Sequence, residues 1–395
     1  MCTQPLFSSD CIEEKEWAGT FYDSGFWLVS RDEKMHVGGT IQCDERFFLN
    51  VTDAHSTFLI RRARLYLTGT LEEMFGYMVM ARWDRQVPAL HFAWLETLEP
   101  ASLRFRVGLF KEPFSLEVLY ADMYWDFDER SLGSINYLQQ EDIGAMLFGK
   151  IWDDRLEYAV GVFNGRGREL DNNQNKECVA RIVVTPFTTE PFKRFFVGLS
   201  ISNGRVKEEL THGFHTGSDT RFFIWNNTPG NPVTTNSDRF RYGGDIEWLS
   251  GPRSLRAEFL HIDLGRIRND FVSAPFSGYS WYVEGGYILT GEEKPRNRPV
   301  IPYENFDLKC GHGLGAWELV GRYEFFNATK RALDVGLATG ANEAQGWTAG
   351  VNWYLNPYLA FKMDVQHLLF NRTIHWKNRA FDHETVLLGR FQGEF

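Results

Sequence analysis

The chain has no stretch approaching the roughly 18 consecutive apolar residues that a membrane-crossing helix requires, so helical membrane classes are excluded. The opening Met1-Cys2-Thr3 is not followed by the basic stretch and apolar core of a secretory signal. The start is therefore expected to be trimmed or restarted if the protein is exported. Cysteine is scarce: Cys2, Cys11, Cys43, Cys178 and Cys310 follow no metal-ligand spacing, and their odd number leaves at least one unpaired. They read as scattered thiols, with cross-linking at the cell surface as the sharper alternative. No repeat of about 20 to 50 residues marks a propeller.

Catalytic signatures are missing as well. There is no Gly-x-Ser-x-Gly elbow and no Gly-rich phosphate loop of the Walker type. The glycines from Gly161 to Gly167 read as a turn, and His212 with His215 is an incomplete metal site. No catalytic residue, metal, cofactor or nucleic-acid partner is expected. Acidic residues exceed basic ones, 52 against 42, so no overall positive field is available.

What the sequence has is alternation. The final segment, Glu384 to Phe395, places Leu387, Phe391 and Phe395 on one face and Glu384, Arg390, Gln392 and Glu394 on the other. In lipid every backbone polar group must be satisfied within the protein, so a two-faced segment of about 10 residues reads as one strand of a closed transmembrane barrel. Such segments recur from about Met35 onward, roughly sixteen in all, leaving residues 1–34 as an N-terminal periplasmic segment and 35–395 as one antiparallel β-barrel. His36, Thr40, Gln42 and Asp44 oppose Val37, Ile41 and Cys43. Arg62 and Arg64 share a face with Tyr66, Thr68 and Thr70, opposite Ala63, Leu65 and Leu67. Arg104 and Arg106 oppose Phe105, Val107 and Leu109. Arg239, Arg241, Asp245 and Glu247 oppose Phe240, Tyr242, Ile246 and Trp248, and Arg256 and Glu258 oppose Leu255, Ala257 and Phe259. Arginines cannot face acyl chains, so each of these polar faces is expected to line a wet, charged interior beneath a greasy exterior.

Connection lengths alternate too. Tight turns fall at Glu72-Glu73, Glu99-Pro100, Asp153-Asp154, Gly251-Pro252 and Asn356-Pro357, and longer polar stretches follow Phe110, Asn164, Asn203, Gly265, Phe326 and Phe370. The stretch from Gly291 to Gly313 is long where a short turn is due. A soluble β-sandwich or barrel also alternates, but Trp248, Trp281, Tyr287, Trp317, Tyr323, Trp353 and Tyr358 near strand ends fit an interfacial girdle.

Several blocks resemble the phosphate-selective porins of the O and P type. They are Arg61-Arg-Ala-Arg64, Arg106-Val-Gly-Leu-Phe-Lys-Glu-Pro-Phe-Ser-Leu-Glu117, Asp128-Glu-Arg-Ser-Leu132, Tyr158 to Gly165, Tyr282 to Glu292, Gly315 to Tyr323 and Gly350 to Pro357. The resemblance implies a homotrimeric outer-membrane porin with sixteen strands per subunit, in contact with lipid, passing small anions such as phosphate or polyphosphate. It also implies an inward-folded constriction loop at about 111–140. The leading anion-path residues are then Arg62, Arg64, Arg104, Arg106, Lys111 and Arg130, followed by Arg239, Arg241, Arg256, Arg322 and Arg390. Arg239, Arg241 and Arg256 have carboxylates close by on the same face and read also as struts. Asp245, Glu247, Glu258, Glu284, Glu318 and Asp364 interleave with the arginines, so a weakly selective general diffusion porin is the alternative reading. An outer-membrane structural protein or a barrel enzyme is the alternative of another class.

Overall fold

The computed structural model describes residues 17–22, 25–30, 33–50, 55–84, 87–309, 311–376 and 379–395. The alternating segments become sixteen long strands. The first eight are β1 (Lys34–Phe48), β2 (Thr57–Leu71), β3 (Phe75–Asp84), β4 (Val87–Thr97), β5 (Arg104–Lys111), β6 (Glu141–Ile151), β7 (Leu156–Phe163) and β8 (Glu177–Val184). The second eight are β9 (Phe195–Glu209), β10 (Thr234–Ser250), β11 (Arg253–Arg268), β12 (Ser273–Ile288), β13 (Ala316–Ala328), β14 (Glu343–Tyr354), β15 (Leu359–Trp376) and β16 (Arg379–Glu394). Each pairs antiparallel with the next, and β16 returns to β1 from Val386↔Phe48 to Glu394↔Thr40. The terminal residue completes the seam: Phe395 N–H donates to Gly39 O at 2.9 Å and Gly39 N–H donates to Phe395 O at 2.6 Å. No sheet edge is left along this seam, which is what a hydrocarbon environment demands.

The two faces separate as the period of two requires. Leu65, Val107, Ile246, Leu255 and Phe391 stand exposed on the outer surface, while Gln42, Asp44, Arg62, Arg239, Arg241, Asp245 and Glu247 are buried inside. Cys43 and Cys178 are free thiols on the outer face; Cys2, Cys11 and Cys310 lie outside the described residues. Strand β2 departs from strict alternation. Its register to β1 runs Gln42↔Arg62 and then Cys43↔Ile60, so Arg61 is an extra residue in a bulge. The bulge lets both Arg61 and Arg62 reach inward.

Tight connections gather at one end of the barrel, including 72–74, 152–155, 251–252 and 355–358, and two of the three longest connections, 112–140 and 210–233, lie at the other. Strand β11 continues through Gly265 to Arg268, so the long loop expected there is a four-residue link, 269–272. Strand β15 likewise runs through Phe370 to Trp376, and residues 377–378 lie outside the described set. The long 289–315 connection does fall at the turn end without removing a hairpin. Within the N-terminal segment, Trp17–Tyr22 and Phe26–Ser30 form a hairpin whose second strand pairs with the start of β1, from Phe26↔Val37 to Val29↔Lys34.

The interior is not wet throughout, which corrects the expectation of a hollow that is charged everywhere. Loops 210–233 and 329–342 fold inward and contribute a small three-stranded sheet, Phe214–His215, Arg221–Trp225 and Ala338–Gly340. Phe214, Phe222, Phe223 and Trp225 pack there against inward-facing Phe276, Phe326 and Phe370, forming a dry aromatic core at the loop end. A sixteen-stranded barrel is too wide for wall side chains alone to fill. Apolar loop residues take up that space because burying them removes their surface from water.

Candidate functional site

The constriction loop starts from a backbone conformation that only glycine accepts readily. Gly108 in β5 has φ of +133°, and a Cβ there would lie 2.1 Å from Ala93 O. Three residues on, the chain leaves the wall and residues 112–140 fold into the lumen. Two short helices form inside it: α1 (Leu116–Leu119), where Ser115 Oγ accepts from Val118 N–H, and α2 (Leu132–Asn136). Phe114, Leu116, Val118, Phe127 and Leu132 are buried in the lumen.

Carboxylates on the wall cap the loop's backbone. Glu258 accepts from Leu116 N–H at 2.9 Å, Glu324 from Leu132 N–H at 2.7 Å and Asp364 from Asp128 N–H at 2.7 Å. Wall arginines hold its side chains and carbonyls. Arg241 pairs with Glu112 and with Glu177, each at 2.7 Å, and Arg256 pairs with Asp126 at 2.6 Å and Glu247 at 2.8 Å. Arg322 donates to Glu129 O at 3.1 Å; Arg390 grips Asp44 through two 2.7 Å bonds and lies 3.8 Å from both Asp128 and Glu129. Arg239 pairs with Glu177 and donates to Gln139. The 289–315 connection reaches up from the turn end, where Lys294 bridges Asp126 at 2.7 Å and Glu318 at 2.6 Å.

Asp122 and Glu129 of the loop, and Lys294 beneath it, are buried and yet held in the charged form. Burial alone would raise the Asp122 carboxyl, but Arg64, Arg62 and Arg130 hold it well below the ordinary carboxylate range. Glu129 is lowered in the same way, burial being outweighed first by Arg61. Burial works against the Lys294 ammonium, and Asp126 and Glu318 more than compensate, raising it above its ordinary value.

The loop leans on the wall from β10 to β16 and leaves open space along β1 to β8. Two cavities occupy that space. One, of about 420 Å³, is lined by Arg104, Arg106, Lys111, Lys150 and Arg181 among aromatic and aliphatic side chains, and runs to Ala101 and Asn297 at the turn end. The other, of about 390 Å³, is lined by Arg62, Arg64, Lys111, His36, His91 and Asp122. Met78, Phe92, Lys111 and Ala121 line both, so the cavities adjoin at Lys111. Its ammonium donates to Tyr120 O at 2.6 Å and has no carboxylate partner among the described residues.

Five of the six leading residues therefore meet at one open space: Arg62, Arg64, Arg104, Arg106 and Lys111. Arg130 does not line it. It is buried behind Asp122, with its guanidinium 4.1 Å from the Trp125 ring centroid. Arg239, Arg241, Arg256, Arg322 and Arg390 stand apart from both cavities in the strut contacts given above; Arg256 and Arg322 border only a void of about 20 Å³. Several residues escaped sequence reading. Arg61 pairs with Glu129 at 2.6 Å through the bulge. Arg181 lines the larger cavity while held by Asp245 at 2.6 Å, and its alternation with Ile182 was the signal available. Toward the loop end, Arg168 pairs with Glu141, which Arg82 approaches at 3.8 Å.

The chain belongs to the family described as phosphate-selective porin O and P, whose model matches residues 35–395. It is accordingly a porin of the bacterial outer membrane, a channel rather than an enzyme. A search of curated proteins returns no match. Among solved structures, outer-membrane expressed OmpT of Vibrio cholerae is similar at TM-score 0.59 and 12% identity, covering 93% of this chain and 100% of that one. OprB of Pseudomonas putida gives TM-score 0.59 and 11% identity, with 92% and 94% covered. Salmonella typhi OmpF, solved in complex with daunomycin, gives TM-score 0.56 and 12% identity, with 95% and 100% covered. At these identities the likeness concerns the fold.

Proposed function

We propose that this porin passes small anions by diffusion through the space between the constriction loop and the β1–β8 wall, with Lys111 at its middle. The observation that carries the reading is the charge of the two cavities. Seven lysines and arginines line them, against the three carboxylates Asp122, Glu157 and Glu394. Among the buried side chains carboxylates outnumber lysines and arginines, but most acidic groups are occupied with struts away from this space. An ion feels the charges lining its own route, and an excess of one sign in a narrow, poorly screened passage concentrates the opposite sign.

Arginine suits the role because its guanidinium offers several planar donors and never loses its charge. Arg62, Arg64, Arg104, Arg106 and Lys111 replace part of the water an anion sheds at the constriction. Phosphate is the candidate solute that the family name supports. The working unit is proposed to be a homotrimer in contact with outer-membrane lipid, a reading supported by a solved structure of Vibrio cholerae OmpT described as its trimer form. A weakly selective general diffusion pore is the second reading, favoured by the hold of Asp122 on Arg62 and Arg64 at 3.0 and 2.6 Å. Reversal potentials of single channels in a potassium chloride gradient separate the two. A potential on the anion side supports the proposal, and one at zero or on the cation side sinks it.

A further inference from the structure

The larger cavity is not furnished for a small, strongly hydrated ion alone. Its guanidinium and ammonium groups stand among Trp94, Phe92, Phe148, Met78 and Met146. The Arg106 guanidinium lies 4.4 Å from the Trp94 ring centroid, 5.0 Å from Phe148 and 5.5 Å from Phe110. Arg106 is already paired with Glu96 at 2.6 Å. Arg104 is different. It has no ion pair or hydrogen bond among the described residues, its Nε is buried and unpartnered, and it sits directly across from Phe148 in the β5–β6 register. Facing cross-strand side chains are near neighbours.

An apolar wall gives an inorganic anion nothing in exchange for its water, because a polar group leaving water without a new hydrogen bond loses free energy. The same wall favours a carbon skeleton, which gains by leaving water and by stacking on aromatic rings. A volume of about 420 Å³ falls within the range of small-molecule sites.

Resting on the anion-channel reading above, we propose that the favoured solute is an organic anion with a flat apolar body. An aromatic monocarboxylate is the simplest case. Its ring lies against Trp94 and Phe148, and its carboxylate is received by Arg104.

The test measures permeability ratios in planar bilayers under bi-ionic conditions, with potassium benzoate, acetate or phosphate opposite potassium chloride. Benzoate is expected to exceed acetate, the reverse of the order that size and mobility impose, and to exceed phosphate. Trp94→Ala and Phe148→Leu are each expected to lower the benzoate-to-acetate ratio about two- to tenfold, the range that aromatic pairing spans. Phe148→Leu keeps the apolar volume and so reports even if Trp94→Ala fails to assemble. Acetate or phosphate ahead of benzoate in the unaltered protein, or a ratio that neither variant moves, overturns the proposal while the anion reading stands. A cation-side reversal potential in potassium chloride removes both.

Discussion

Arg104 and Arg106 lie two residues apart on the inner face of β5, and only one of them is neutralised. Arg106 has Glu96 at 2.6 Å and three aromatic rings around its guanidinium, whereas Arg104 has no protein partner among the described residues. A free guanidinium beside a passage carries its full field into it. An ion about 4 Å from a unit charge gains roughly 1 kcal/mol even at water's dielectric constant. The same charge disfavours a cation by as much, so Arg104→Gln is expected to lower the anion-to-cation permeability ratio by up to roughly thirtyfold, and Arg106→Gln by less, because Glu96 already offsets that charge. Reversal potentials of the two variants check this. Equal effects, or a larger one at Arg106, would count against Arg104 as the dominant charge.

The strut arginines are expected to behave in the opposite way. Arg241 is buried and pairs with Glu112 and Glu177, each at 2.7 Å. Removing one partner of such a group strands the others, at a cost of about 3–5 kcal/mol. Arg241→Ala should lower the temperature at which the folded barrel unfolds on gels and free the start of the constriction loop, giving larger and noisier single-channel currents. Arg241→Ala with normal heat stability and an unchanged current trace would refute the strut assignment.

The loop's acid groups set a pH limit. Asp122 and Glu129 have folded pKa values below their unfolded ones, so their stabilisation is fully present above the unfolded values, about 4, and is lost as pH falls through the folded values. The loop should stay docked from neutral pH down to about 4 and loosen only in stronger acid. Trp125, buried beside Arg62 and Arg130, reports on this through quencher access to its fluorescence. Exposure that begins near pH 6 would mean that groups other than these carboxylates hold the loop.

The barrel was legible because alternation is local: Leu65, Val107 and Ile246 announce the lipid face from their own neighbours. Long-range pairings were not. Nothing near Arg61 says that a bulge will turn it toward Glu129, since strict alternation sends it to lipid. Which arginines are locked and which face open space depends on where the 112–140 loop comes to rest. Carboxylates at Asp126, Asp128 and Glu129 fix that by pairing with residues more than a hundred positions away, among them Arg256 and Arg390. The same-face acids near Arg241 and Arg256 did mark both as struts. The dry core was hidden for another reason. Phe214, Phe222 and Phe223 sit in a loop, where apolar residues carry no periodicity to show which way they point.

Lys294 ties the turn end of the barrel to the constriction. It belongs to the one long connection at that end, its ammonium bridges Asp126 of the loop and Glu318 of β13, and its pKa is raised, so the bridge is charged at neutral pH. The neighbouring Asn297 accepts from Ala121 N–H at 2.7 Å, and Ala121 lines both cavities. A change at Lys294 should therefore be felt where the two cavities meet. Lys294→Met keeps most of the stem and removes the charge, leaving Asp126 with Arg256 alone and Glu318 with neutral partners, Tyr354 at 2.6 Å and Asn352 at 3.2 Å. Breaking a buried pair of this kind costs about 3–5 kcal/mol. Combined with Asp126→Asn, the loss should fall short of the sum of the two single losses, because both changes break the same Lys294–Asp126 pair, whereas two independent sites would simply add. A double-mutant cycle on thermal unfolding, with single-channel noise recorded in parallel, decides between these. Strict additivity would mean that the connection fills the base of the barrel without holding the loop.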